Sequence, residues 1–453
     1  MLVHRSKKQL SFLLALLLVL ILGSGCASDT VGSNVATPTA RAIAQGTPLT
    51  IPVPVCHLSS CTNLTPVHGA RAFTDTWENI HLFETFDFKV SYPRAIAKYY
   101  DFIWGASAAN AYAYRLGNPN VMLSYYMTMN RYDGTFTDTE LGKQRGLSYW
   151  KAVHPDWILY KCDRTTPAYE YQDPNMPFDF SNPAVINWQL QTYVQPASAI
   201  YGYDALAVDN VNMENMFAAC GHYDANGQWV QQYSGQNVDP QWQQDVVNWL
   251  TKMQNALHAL AHPMLLIANF SSGAVPLNSS TAQQALVHVD GVLDESSFTH
   301  YGEYHLPDDQ WVQMVQYVQA MQQQNKPFFM INEFKNANNV SHDDIEWVLA
   351  SYLMCKQRLA FLYISQIQGY GSDSRISQYS LQIGSPLGDM YQAQNVYWRD
   401  YTNGEVVVNP GSNPLTVDTT SIKPSTSFVD AYGQKMSQSF TLSAHSAKVL
   451  IKQ

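Results

Sequence analysis

Charge is scarce in this chain. Asp, Glu, Lys and Arg make up 14% of its 453 residues, well below the roughly 25% of an average soluble protein. Basic residues are the scarcer sign, 26 Lys plus Arg against 36 Asp plus Glu for a net charge of −10, and this excludes a general nucleic-acid binder, which needs a basic face. Cysteine is also rare: the six present form no Cys-x-x-Cys pair and no His/Cys spacing of a zinc site, so neither a structural metal nor a cofactor is expected. No Gly-x-Ser-x-Gly turn occurs, which counts against an esterase. What the chain has in quantity is apolar surface to bury, with 46% hydrophobic residues and 13% aromatics. A large core follows, and disorder is excluded.

The first 26 residues carry a basic start (Arg5, Lys7, Lys8), an apolar run from Leu10 to Leu22, then Gly23, Ser24, Gly25 and Cys26. The run is short for a membrane span and ends in small residues, the pattern of an export signal. Cys26 after small residues resembles the lipobox of bacterial lipoproteins, although Gly23 stands where Leu is usual. An extracytoplasmic protein is expected, either released or held by a lipid on Cys26, with no other membrane contact. Residues 27–50, rich in Ser, Thr, Ala, Gly and Pro, read as a flexible linker. In such a compartment cysteines oxidise: Cys56 and Cys61 can close a small loop, Cys162 and Cys220 can form a second bridge, and Cys355, in a helical pattern, stays free.

Within residues 51–390, eight short apolar runs recur: His81–Phe86, Phe102–Gly105, Val121–Tyr126, Ala205–Asp209, Met264–Asn269, Gly291–Glu295, Phe328–Glu333 and Phe361–Gln366. Stretches of helical period separate most of them, among them Trp242–Ala261 and Asp343–Arg358. Parallel strands need such crossovers, so the expected fold is α/β, a (β/α)8 TIM barrel. Trp157–Tyr160 would be a ninth strand and is assigned instead to an insertion after the third, from about Arg131 to Phe180. From 391 to 453 alternation and turns such as Asn403-Gly404 take over, the signature of a small C-terminal antiparallel β-sandwich domain.

Reactive groups of such barrels stand at the C-terminal ends of strands. Asp209, Asn269, Glu295 and Glu333 each follow an apolar run, so three carboxylates and an amide converge on one mouth. A single strand-end acid is more often a cap or an ion-pair partner, but three together are not explained that way. Glycosidic cleavage requires a protonated acid beside an ionised carboxylate, with environments that push their pKa values apart. Asp209, in the polar run Asp209-Asn210-Val211-Asn212, suits the nucleophile or base. Glu295, near Asp290 and Asp294, suits the acid, raised by like charge. The run leaves open whether Asp294 or Glu295 faces inward; Glu295 is favoured. Asp87, Tyr125, Tyr126, Asn269 and Gln366 are the candidates for substrate contact, and the 28 Tyr and 11 Trp suit stacking on sugar rings.

Asn182-Pro183-Ala184-Val185, Tyr203 to Val211, Asp294-Glu295-Ser296, Ala350 to Met354 and Arg399 to Pro410 together resemble hypothetical glycosyl hydrolase family 15, over roughly residues 80–453. The resemblance implies an exported barrel enzyme acting on a polysaccharide or oligosaccharide, with acids after strands 4 and 6 carried onto Asp209 and Glu295. Glu333 competes, because many retaining barrel glycosidases carry their nucleophile after strand 7. The alternative function is a non-catalytic carbohydrate-binding lipoprotein on a degenerate TIM barrel, which would keep the aromatic platform without the carboxylate geometry.

Overall fold

The computed structural model describes Phe73 and residues 80–132, 147–168, 176–335, 340–365, 369–371, 373 and 375–453. The expectations for the export segment, Cys26, the linker, the Cys56–Cys61 loop and Gln366 lie outside these residues. Among the described residues no helix is long and apolar enough to cross a membrane.

Eight strands form a closed barrel: β1 His81–Thr85, β2 Phe102–Trp104, β3 Met122–Thr128, β4 Ala205–Asn212, β5 Leu265–Ser271, β6 Gly291–Asp294, β7 Phe328–Asn332 and β8 Ala360–Ile364. Neighbours pair in parallel, and β1 closes on β8. These are the eight apolar runs of the sequence, each a strand because it is apolar on both faces: one face fills the barrel and the other meets the helices. Phe83, Phe102, Trp104, Met122, Ala205, Ala207, Ile267, Leu293, Phe329, Ile331, Phe361 and Tyr363 fill the interior. Leu82, Leu123, Tyr125, Leu206, Leu266, Val292, Met330 and Leu362 point outward into the larger core.

The main crossover helices are α1 Ala108–Gly117, α2 Pro183–Gln189, α3 Pro240–His258, α4 Ser280–Val287, α5 Asp308–Gln323 and α6 His342–Cys355. Local chemistry starts them: Asp239 accepts from Trp242 N at 3.0 Å with Pro240 at the first helical position, and Ser341 with Asp344 forms a capping box on α6. In α3, Trp242, Val246, Trp249, Leu250, Met253 and Leu257 are buried at helical spacing, a single apolar stripe against the barrel. By contrast α6 is buried at every residue from Ile345 to Cys355.

A second layer explains that difference. Strands β9 Tyr391–Ala393, β10 Val396–Tyr401, β11 Gly404–Asn409, β12 Leu415–Asp418, β13 Phe428–Val429, β14 Ser439–Leu442 and β15 Ser446–Lys452 follow. They build an antiparallel five-stranded sheet, ordered β9-β10-β11-β15-β13, and a two-stranded sheet of β12 and β14. Trp398, Val407 and Leu450 face Val417 and Leu442 in a core between the sheets. Tyr401, Val406, Val408 and Val449, on the opposite face, join the core that contains α6, so that helix is covered on both sides. Buried Arg399 closes its end, donating to the carbonyls of Leu353 at 2.7 Å, Met354 at 3.1 Å and Lys356 at 2.6 Å, groups that a helix terminus otherwise leaves unpaired.

Between β3 and β4 the insertion has its own aromatic cluster of Tyr132, Trp150, Trp157 and Phe178. Within it Arg131–Tyr132 pairs with Met176–Pro177, and Tyr160–Lys161 joins a three-stranded sheet with Ala219–Tyr223 and Trp229–Gln231. The run Trp157–Tyr160 thus stands outside the barrel, as expected. A Cys162–Cys220 disulfide ties the insertion to the loop after β4, and Cys355 is free and buried.

Candidate active site

Alternation along a strand decides which side chains reach the mouth. Ala205 and Ala207 point inward, so Asp209 does as well; by the same count Ile267 leads to Asn269, Leu293 to Glu295, Ile331 to Glu333 and Met122 to Tyr126. Five inward positions at the carboxyl ends of β3, β4, β5, β6 and β7 therefore carry Tyr, Asp, Asn, Glu and Glu.

Asp209 is the most tightly held of them. Tyr126 Oη donates to its Oδ2 at 2.6 Å, and Asn269 Nδ2 and the Asn210 backbone N–H each donate to its Oδ1 at 2.8 Å. The register between β4 and β5 shifts at this point, and Asn210 takes φ +59°. Such a bulge re-aims a side chain at a strand end.

Glu295 accepts from Tyr370 Oη at 3.3 Å. Burial, then the charges of Asp209 and Glu333, push its carboxyl up to about 8. Burial, then the charges of Glu295 and Glu333, push the Tyr370 phenol well above its usual range. Asp294 faces the other way. Its carboxylate accepts from Ser296 N at 3.0 Å and Ser297 N at 2.5 Å, shaping the turn that presents Glu295.

Rings line the approach. Phe86 lies 5.1 Å from Tyr126 and 6.2 Å from Tyr370 between centroids, and Tyr363 lies 6.1 Å from Tyr370. Phe86 adopts φ +60° and fits because Gly105 has no side chain: a Cβ there would come within 2.7 Å of its ring. Phe88, 5.9 Å from Phe86, is 61% exposed, a large apolar face left open to solvent.

Two expected contact residues are elsewhere. Tyr125 points outward, because its neighbour Tyr126 points in; it packs against Tyr193 and Tyr203 under the helices. Asp87 is buried and turned onto α1, accepting from the Ser107 N–H at 3.1 Å and from Asn110 Nδ2 at 3.0 Å. It holds the start of a helix, where a carboxylate complements the terminal N–H groups. Conversely, sequence reasoning missed Tyr370 and Phe86. Phe86 was the last residue of the first apolar run, but nothing local marked Tyr370, which reaches the mouth from the segment after β8.

Residues 116–405 match the model of hypothetical glycosyl hydrolase family 15. The chain belongs to that family. The match begins in α1 and ends in β11, a narrower span than the resemblance suggested, and it covers all the mouth residues except Phe86 and Phe88. No curated protein matches. A noncanonic maltogenic alpha-amylase from Thermotoga neapolitana is among the solved structures similar in shape, at 11% identity and a TM-score of 0.40, over 83% of this chain and 88% of that one. Family membership makes this barrel a glycoside hydrolase.

Proposed function

We propose that the protein is an exported hydrolase of a polysaccharide or oligosaccharide that works with retention, Asp209 as nucleophile and Glu295 as acid and then base. The convergence of two acids carries this reading: Asp209 and Glu295 are the inward residues at the ends of β4 and β6, and the charge of Asp209 acts on the Glu295 carboxyl. A retaining pair stands about 5 to 5.5 Å apart and an inverting pair about 6.5 to 9.5 Å, so the anomer of the first product tests the choice of retention. In the first step an Asp209 oxygen bonds to the anomeric carbon as the glycosidic C–O bond breaks, and the Glu295 proton passes to the leaving oxygen. In the second, water attacks that carbon, its proton goes to Glu295, and the bond to Asp209 breaks.

The raised carboxyl of Glu295 supports the acid role, since a group that must donate near neutral pH has to hold its proton there. The Phe86, Phe88, Tyr126 and Tyr370 rings offer apolar faces to the C–H face of a sugar. The Cys162–Cys220 bridge supports an oxidising compartment, with a lipid on Cys26 as the membrane attachment.

The test is reducing-sugar release from a panel of bacterial and plant polysaccharides, with the product anomer followed by proton NMR from the first minutes. Asp209→Asn and Glu295→Gln are expected to lose nearly all activity, and the first product is expected to keep the substrate's anomeric configuration. An inverted first product would exclude the covalent route. A protein that binds a glycan and never cuts it would instead be the carbohydrate-binding lipoprotein.

A further inference from the structure

Glu295 has to release its proton beside two other carboxylates, and the anion it leaves needs a hydrogen-bond donor. The segment after β8 brings one. We infer that Tyr370 is a positioning residue of the acid: its hydroxyl marks Oε1 of Glu295 as the carbonyl oxygen, so that the proton rests on Oε2 and is delivered from there, and a clamp of Tyr100, Asp373 and Arg375 holds the phenol in place. This rests on the assignment of Glu295 as the acid.

Backbone contacts come first. β8 pairs with β1, and the segment that follows lies over the end of β1: the Gly371 N–H donates to the Thr85 carbonyl and the Lys89 N–H to the Gly371 carbonyl, each at 2.8 Å. Tyr370 stands between Gly369 and Gly371, which take φ +72° and +83°, a region other residues rarely enter. A Cβ on Gly371 would come within 2.6 Å of the Phe88 ring, so this glycine also lets the segment lie against the loop after β1. From β8 itself, Tyr363 Oη donates to the Gly369 carbonyl at 3.4 Å.

Two residues beyond Gly371, side chains take over. Asp373 Oδ1 accepts from Tyr100 Oη at 2.6 Å and from Arg375 Nε at 2.7 Å, and the guanidinium lies 3.9 Å from the centre of the Tyr99 ring. Charge-assisted bonds and a cation over a ring are strong for their size. Tyr370 is thus held from both sides, with its hydroxyl 3.3 Å from Glu295 Oε1 and its ring beside Phe86 and Tyr363.

A phenol has one hydrogen to give, and here it goes to Oε1. In a protonated carboxyl the carbonyl oxygen accepts more readily than the hydroxyl oxygen, so this bond leaves the acid proton on Oε2. As the glycosidic C–O bond breaks, that proton passes from Oε2 to the leaving oxygen, while the phenol hydrogen stays on Tyr370 and stabilises the new carboxylate. In the second step the proton of the attacking water returns to Oε2. Asp209 from β4, Asn269 from β5 and Glu333 after β7 also act on Glu295, whereas Asp294 is occupied by its serines.

The test begins with Tyr370→Phe, which keeps the ring and removes the hydroxyl. On a polysaccharide that the wild type cleaves, kcat is expected to fall about 10-fold, the lower end for a hydrogen bond to a charged group, with KM within about threefold. The alkaline limb should move up by about 0.5 to 1 pH unit, because a donor to the ionised acid is lost. The infrared carbonyl band that disappears in Glu295→Gln, which is read without turnover, should move to higher wavenumber once its oxygen is freed of the phenol. Arg375→Met opens the clamp and leaves Tyr370 intact; it should show the same changes at smaller size, and none beyond those of Tyr370→Phe when the two are combined. An unmoved band, or a limb that stays or falls, in Tyr370→Phe overturns the positioning role. A lower Tm in Arg375→Met with band and limb unmoved overturns the clamp. Full activity in Glu295→Gln would instead remove the acid assignment, a failure separate from these.

Discussion

Replacing Asn269 with Ala tests the site at its centre. The side chain gives Asp209 a 2.8 Å hydrogen bond, so its loss strips a donor from a reacting carboxylate. A hydrogen bond to a charged group contributes about 1.5 to 3 kcal/mol, and each 1.4 kcal/mol is tenfold in rate. The expected loss in kcat is about 10- to 100-fold, with KM changed by less than about threefold if the amide touches the carboxylate and not the ground-state sugar. A second readout fixes the sign. The amide favours the ionised form of Glu295, so without it the acid holds its proton more firmly and the alkaline limb moves upward. Initial rates from pH 5 to 10 measure both quantities. A variant that keeps a third or more of wild-type kcat, or whose alkaline limb falls, would refute the role given to this amide.

In the wild type, Glu295 is active when protonated and its pKa is raised to about 8, so activity should fall as pH rises through that value, to about one-tenth at pH 9. A limb centred below about pH 6 would contradict the burial described for this acid. Arg399→Leu removes the donors to Leu353, Met354 and Lys356 and should cost about 3 to 5 kcal/mol of stability. Differential scanning calorimetry should show a midpoint roughly 4 to 6 °C lower, with kcat at 25 °C unchanged.

The barrel was legible because its strands are apolar on both faces and end in polar residues, so Ala205 to Asp209 or Phe328 to Glu333 reads as strand and site at once. Alternation then needed only one fixed point per strand, and for β6 that point was missing: Leu293 could be placed inward only once its contacts in the interior were known, and Glu295 was separated from Asp294 with it. Tyr125 and Tyr126 illustrate the same limit, since adjacent tyrosines look alike in sequence and only one can face the mouth. Asp87 shows another: an acid after a strand can serve a helix start as readily as a substrate, and its partners Ser107 and Asn110 lie twenty or more residues away. Tyr370 was invisible because its place depends on how the segment after β8 folds back, which no local pattern encodes.

The covering of α6 has a consequence for the order of folding. This helix is apolar all round because the five-stranded sheet lies on its outer side, and the sheet runs β9-β10-β11-β15-β13. The strand between β11 and β13 is thus Ser446–Lys452, about ninety residues downstream of the helix it helps to cover. Until a ribosome has made that strand, the outer face of α6, where Glu346 meets Lys448, has no complete shelter. The barrel therefore cannot finish as an independent unit during synthesis. A chain cut short before residue 446 should be captured by chaperones or proteases.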